Sequence, residues 1–327
     1  MTRVFGWLCD HSGCGYYRVK QPFNALKARG YDVFYDGSMP ADVALGNVDV
    51  VIAQRVVLEG PTEWIQRTAR KGSVKVVLEF DDDLWNIEGS NAIAHNFFKP
   101  EMQERAKRNL AVADVVTTTT DHLANRLSEY TTAPIEVIPN HVSSWLIDHE
   151  REHVSDRVTV GYAGSATHVG DWTELSSELR RFLTRVPQAE LHIMGHNLVE
   201  KWPKNLWRHS EWHGEIDDYL RSIDFDLGLA PLRPSLFNKS KSALKAMEYG
   251  ALGIPIIASN CGPYADYVRH GETGFLVDRP HEWAIYLREL LGDARLREKM
   301  SAHARSYVAA NSLIEDNLWR WERVLLT

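Results

Sequence analysis

The sequence predicts an α/β protein made of two doubly wound parallel sheets facing each other across a cleft. Three observations carry this prediction. Apolar runs of strand length alternate with helical patterns along the whole chain. The alternation starts afresh in the second half, with no obvious internal sequence repeat. The length, 327 residues, suits two domains of about 150 residues each.

In the first half, strands are predicted at 3–9, 49–53, 74–80, 114–119 and 135–138, with helices at 17–29, 61–70, 100–113 and 120–130 between them. In the second half, strands are predicted at 158–162, 189–194, 211–212, 225–230, 254–258 and 274–277. The boundary falls near 140–156, where Pro139-Asn140-His141 ends the first pattern and the charged run from Asp148 to His153 follows. That run reads as a solvated linker rather than a metal cluster, since nothing fixes its geometry. The expected domains are 1–145 and 156–305, followed by a segment 306–327 that closes the helical, tryptophan-rich stretch 296–327.

Composition is that of a soluble globular protein, 44% hydrophobic and 25% charged. No apolar stretch approaches the roughly 18 residues of a spanning helix, and the N-terminus lacks the basic start and apolar run of a signal peptide. Three scattered cysteines argue for a reducing compartment, so a cytoplasmic location is expected. The net charge is −7, and acidic residues outnumber basic ones in both halves. Nucleic acid is therefore left open as a partner but not favoured.

The most informative stretch is Ser240 to Asn260. A helix stops at a glycine and runs into an apolar strand, with Lys245 and Glu248 one turn apart on a single face. At its start, Ser240, Lys241 and Ser242 offer hydroxyls, positive charge and free N–H groups, equipment for an anion. A ligand with phosphates at one end and sugar hydroxyls at the other fits this layout. The alternative is an ordinary amphipathic surface helix.

Lys245-Ala-Met-Glu248-Tyr249-Gly250-Ala-Leu-Gly253-Ile-Pro255 and the following Asp266-Tyr-Val-Arg-His-Gly271-Glu-Thr-Gly274-Phe-Leu-Val277 resemble the nucleotide-sugar-binding segment of retaining glycosyltransferases of the GT-B fold, family 4. The resemblance implies twin Rossmann-like domains, acceptor in the first and donor in the second, with a C-terminal helix crossing back to the first. It implies that Glu248 binds the donor ribose and that the helix N-terminus faces the diphosphate. The family's additional glutamate, separated from Glu248 by seven residues, is Ser240 here, which moves the expected phosphate contacts to Ser242 and Lys245. An arginine and a lysine that many members carry after the first strand of the second domain are missing before Arg180. Ser165, Thr167 and His168 are expected to substitute, with His168 donating to phosphate. No metal ion or other cofactor is expected, since the fold handles diphosphate with helix dipoles and basic side chains.

Two further constellations belong to the first domain. The loop Asp10 to Arg18 carries Gly13 and Gly15, which let backbone approach a ligand beside the donor phosphates. It lacks the three-glycine dinucleotide fingerprint. Asp81, Asp82 and Asp83 follow a predicted strand at its carboxyl end, where open α/β sheets place functional residues. Acceptor binding or catalysis by Asp82 and Asp83, a divalent metal, and a helix cap compete as explanations, and the first is preferred. His192, His196, His209 and His213 have no standard zinc spacing.

The expected reaction is transfer of a sugar from a nucleotide-diphosphate sugar to a hydroxyl acceptor, a glycan, protein or other. Similar enzymes are scattered through bacterial surface-polysaccharide clusters and phage genomes. Transfer onto a hydroxymethylated base in phage DNA, a nucleotide-sugar epimerase or hydrolase on the same fold, and a non-catalytic carbohydrate-binding relative are the alternatives.

Overall fold

The computed structural model describes residues 2–152 and 155–327. His153, the end of the charged linker run, lies outside them. Two six-stranded sheets, all parallel, make up the core. The first contains β1 (Arg3–Trp7), β2 (Asp32–Asp36), β3 (Val50–Gln54), β4 (Lys75–Phe80), β5 (Val115–Thr118) and β6 (Ile135–Val137), in the order β2-β1-β3-β4-β5-β6. The second contains β7 (Val158–Gly164), β8 (Ala189–Gly195), β9 (Trp207–Ser210), β10 (Leu227–Ala230), β11 (Ile256–Ser259) and β12 (Gly274–Val277), in the order β12-β11-β10-β7-β8-β9. Central strands such as β3 and β8 are buried along their whole length, which is why they read as continuous apolar runs.

Two strands depart from the sequence reading, and both are sheet edges. Asp32–Asp36, not anticipated, has exposed acidic ends and pairs only with β1. The strand expected at 211–212 lies at Trp207–Ser210 and pairs only with β8. An edge strand buries less of itself, so its apolar signal is weak.

The helices follow local chemistry. Thr120 accepts a hydrogen bond from the Leu123 amide and starts Asp121–Leu127. Glu59–Lys71 ends at Gly72 in the left-handed region, φ 64°. The predicted first helix is instead a π turn, Tyr16–Lys20, leading into the α-helix Gln21–Ala28. The predicted 296–327 helix is three pieces, Ala294–Asn311, Ile314–Asn317 and Trp319–Leu325. The first piece packs on Leu244–Ala251 of the second sheet's domain. Beyond it, Leu318, Trp321, Val324 and Leu325 are buried with Val4, Phe23 and Ile52 in the core of the first sheet. Trp319, from the same tryptophan-rich stretch, is half exposed.

The chain order changes direction between β1 and β3 in the first sheet and between β7 and β10 in the second. Crevices open at the carboxyl ends of strands at such points. The loops after β1, β3, β7 and β10 therefore meet in one cleft of about 1280 Å³.

Candidate active site

The second domain supplies one wall of the cleft. After β7, Gly164 leads into Ser165, whose hydroxyl lies 2.6 Å from that of Thr167. A Cβ on Gly164 would sit 2.6 Å from the Tyr162 hydroxyl, so the strand can end so close to that ring only with glycine. His168 follows, 2.9 Å from Asp171 through Nδ1. Burial and then the nearby Lys245 hold its pKa down to about 4, so the ring is neutral at pH 7. With Nδ1–H given to Asp171, Nε2 is an acceptor. The expected donation to phosphate would come from Nε2 and needs the ring protonated, which a bound phosphate would favour.

The signature helix is shorter than its sequence suggested, Leu244–Ala251. The Ser240 and Lys241 amides are spent on the Phe237 and Asn238 carbonyls of a preceding turn. Ser240 is fully buried, and its carbonyl accepts from Thr120 of the first domain. The free start of the helix therefore lies at Ser242, whose Oγ accepts from Asn140 Nδ2 at 2.8 Å and has its own proton left to donate. Lys245 lines the cleft, and no carboxylate lies within ion-pair distance of it among the described residues. Burial depresses its pKa, though Glu248 opposes this. A cation held this way gains most from an incoming phosphate. Lys241 is already 3.5 Å from Asp82 of the opposite domain.

Glu248 is almost completely buried. Its carboxylate accepts from the Tyr17 hydroxyl at 2.6 Å, across the cleft. Burial raises its pKa, against the phenols of Tyr17 and Tyr219 and the charge of Lys245.

The first domain supplies the other wall, and here the sequence reading needs refinement. Gly13 lines the cleft, and a Cβ there would meet nothing within 4 Å. Gly15 does not line it. Its Cβ would sit 1.9 Å from the Asp10 carbonyl oxygen, so this glycine serves loop packing. The aspartate triplet also divides. Asp81 and Asp82 face the cleft. Asp83 is buried and does not: it accepts from the Trp85 amide at 3.1 Å and from Asn86 Nδ2 at 2.6 Å, holding a turn. The catalytic role expected for Asp83 is corrected to that structural one.

Arg55, at the end of β3, is the residue that sequence reasoning missed. Its guanidinium lies 2.7 Å from Asp10, 3.4 Å from Asp81 and 3.5 Å from Asp82. Among the described residues it is the one non-glycine with positive φ, 43°. That backbone is costly for an L-residue and is held by its surroundings. Burial pushes the Asp82 carboxyl up, but Lys241 and Arg55 outweigh it and keep the group below its usual range. Asp82 is thus a poor base that stays ionised and acts as an acceptor only.

Cys14, Asp81 and Asp82 stand close enough to bind a metal ion together. Arg55 and Lys241 already neutralise these carboxylates, and burial pushes the Cys14 thiol well up, keeping it protonated. A divalent cation would have to enter beside two positive charges.

A second missed feature joins the walls. Arg18 and Glu79 form a fully buried ion pair at 2.7 Å, and Thr117 donates to the same carboxylate. Arg18 also donates to Asn140 at 3.0 Å, and Asn140 to Ser242. The end of β4 is thereby connected to the start of the signature helix. The histidines discounted as zinc ligands serve structure: His192 lies between Asp224 and Ser210, and His209 bonds the Gly195 carbonyl.

Two facing doubly wound domains with a cleft at the carboxyl ends of their strands are the GT-B architecture. Residues 157–293, within the second domain, match the family described as Glycosyl transferases group 1. The matched stretch contains the signature helix and the strand that follows it. It is 42% identical over 66 residues to a D-inositol 3-phosphate glycosyltransferase of Jonesia denitrificans, covering 20% of this chain and 16% of that protein. The protein of the same name from Paenarthrobacter aurescens is 39% identical over 99 residues, covering 28% and 22%. The chain thus matches these curated relatives over less than a quarter of their length. In fold it is similar over its whole length to Anabaena Alr3699/HepE solved with UDP-glucose, TM-score 0.72 at 13% identity, with all of both chains covered. Sucrose-phosphate synthase from Thermosynechococcus elongatus gives 0.70 at 14% identity over 98% of each chain. Among the described residues no helix is long and apolar enough to cross a membrane.

Proposed function

We propose that this protein is a glycosyltransferase that moves a sugar from a nucleotide-diphosphate sugar to a hydroxyl acceptor, with retention of configuration and without a metal ion. The observation that carries the reading is the pairing, on one short helix, of the uncompensated cation Lys245 with the buried carboxylate Glu248, at the end of the cleft reached by Ser242. A diphosphate placed at Ser242 and Lys245 leaves the ribose toward Glu248 and the sugar toward Asp82. Charge developing on the leaving diphosphate is met by Lys245 and the free amides of the helix start. Asp82, held ionised, accepts a hydrogen bond from the acceptor hydroxyl in the bound state, and that proton passes to the leaving phosphate oxygen as the sugar–phosphate bond breaks and the new sugar–oxygen bond forms. The leaving phosphate is the base in a front-side attack.

Three observations support this reading: the family match of the second domain, the names of the relatives it matches, and a structural neighbour solved with UDP-glucose. The neutralisation of Asp81 and Asp82 by Arg55 and Lys241 supports metal independence. Calorimetry over nucleoside diphosphates and their sugars tests it. Lys245→Ala removes a charge-assisted bond of about 1.5–3 kcal/mol and should weaken the preferred nucleotide roughly ten- to a hundredfold. Equal affinity in the variant, or no nucleotide bound by the parent protein, would overturn the assignment.

A further inference from the structure

The walls of the cleft differ in a way that bears on the acceptor. Among the described residues nine large hydrophobic side chains are exposed, and four of them, Leu58, Ile93, Phe97 and Trp212, line this one cleft. Leu58, Ile93 and Phe97 come from the first domain and are half exposed or more, at 50%, 60% and 50%. Ile93 and Phe97 are four residues apart on the helix Ala92–Phe97, so they share a face. Val57 and Pro61 extend this apolar wall around Leu58. Exposing apolar side chains inside a concave site is unfavourable unless a ligand covers them.

Charge on the same wall excludes one kind of ligand. Its cations among the described residues are Arg18 and Arg55. Arg18 is fully buried against Glu79, and Arg55 is shared by Asp10, Asp81 and Asp82. Nothing on this wall is left to neutralise a phosphate, and the three aspartates would repel one. Leaving a phosphate there without a cation is far costlier than burying a neutral hydroxyl.

From these two facts we infer that the acceptor is an uncharged, hydroxyl-bearing molecule with an apolar group beside the reacting hydroxyl. The hydroxyl points to Asp82 and the apolar group packs on Leu58, Ile93 and Phe97. This rests on the glycosyl-transfer reading and adds the acceptor class to it. It also separates this chain from relatives named for a phosphorylated acceptor, whose likeness to it covers only a small part of either chain.

The probes are hexyl and phenyl glycosides of glucose, galactose and mannose, the parent sugars and their 6-phosphates. Acceptor-dependent release of nucleoside diphosphate is followed with the nucleotide sugar that calorimetry selects. At least one alkyl or aryl glycoside should show kcat/KM tenfold or more above its parent sugar, and the 6-phosphate should be no better than that sugar. Phe97→Ser and Ile93→Ser, both at exposed positions, should remove most of that preference through KM, with donor affinity and melting temperature unchanged. Equal use of glycoside and parent sugar, preference for the phosphates, no glycoside used at all, or an unchanged preference in both variants would overturn the inference. Each of these results leaves donor binding intact, whereas a protein that binds no nucleotide fails at the earlier step.

Discussion

Asp82 and Asp83 are neighbours with the same side chain, and burial and partners give them different work. Asp82 faces the cleft beside Lys241 and Arg55, while Asp83 is enclosed and accepts from two nitrogen donors. Asp82→Asn should therefore lower transfer roughly ten- to a hundredfold, the scale of losing a charge-assisted hydrogen bond of about 1.5–3 kcal/mol, with donor affinity little changed. Asp83→Asn should do the reverse. Its amide would face the Asn86 amide, donor against donor, at a cost of about 1–3 kcal/mol in stability with turnover retained. Parallel turnover and urea-unfolding measurements decide this, and a stable, fully active Asp82→Asn would remove that residue from the chemistry. The triplet was legible as a site because three adjacent carboxylates at a strand end are unusual. Which of the three faces the cleft was not legible, because the partner of Asp81 and Asp82, Arg55, stands at the end of another strand and meets them only once the sheet has formed.

At the scale of elements, the π turn Tyr16–Lys20 is where the first domain reaches the second. Tyr17 bonds Glu248, Tyr16 bonds Asp217 and Lys20 pairs with Glu215. The turn is anchored from below by Arg18 on Glu79. Arg18→Met leaves the Glu79 carboxylate buried without its cation and should cost about 3–5 kcal/mol. Adding Glu79→Leu should restore part of that loss, since the pair is then replaced by apolar groups. Chemical denaturation of the single and double variants measures it, and a single variant as stable as the parent would show that the pair anchors nothing. The sequence showed a helix here from its apolar spacing. It could not show the extra residue per turn, which the tertiary contacts of Tyr17 and Arg18 select.

For the molecule as a whole, acid should loosen both domains through two histidines. Burial, then Arg18 and Arg320, holds His141 down to about 3, and burial with Lys245 holds His168 down to about 4. Both values lie below the ordinary 6.5, so the unfolded chain binds protons first as pH falls. Their stability contribution is complete above about pH 6.5 and is lost progressively toward pH 3–4. At pH 5 each deficit amounts to about 2 kcal/mol. Urea unfolding at pH 7 and pH 5 should show that loss, and His141→Gln should lose about 2 kcal/mol less between the two. An identical pH dependence in the variant would count against His141 as a source.

The sequence by itself determined the α/β class, the two parallel sheets and the signature helix with Lys245 and Glu248. It did so because buried parallel strands are continuous apolar runs, and because that helix carries its ligand groups on one local face. The edge strands Asp32–Asp36 and Trp207–Ser210, the pairing of Tyr17 with Glu248 and of Lys241 with Asp82, and the placement of Arg55 were decided only by the tertiary structure. Edge strands hide little apolar surface, and the site's cross-cleft partners lie as far apart as 231 residues in sequence. Local spacing carries no trace of a hydrogen bond formed across a cleft, since it is the docking of two domains that brings its two ends together.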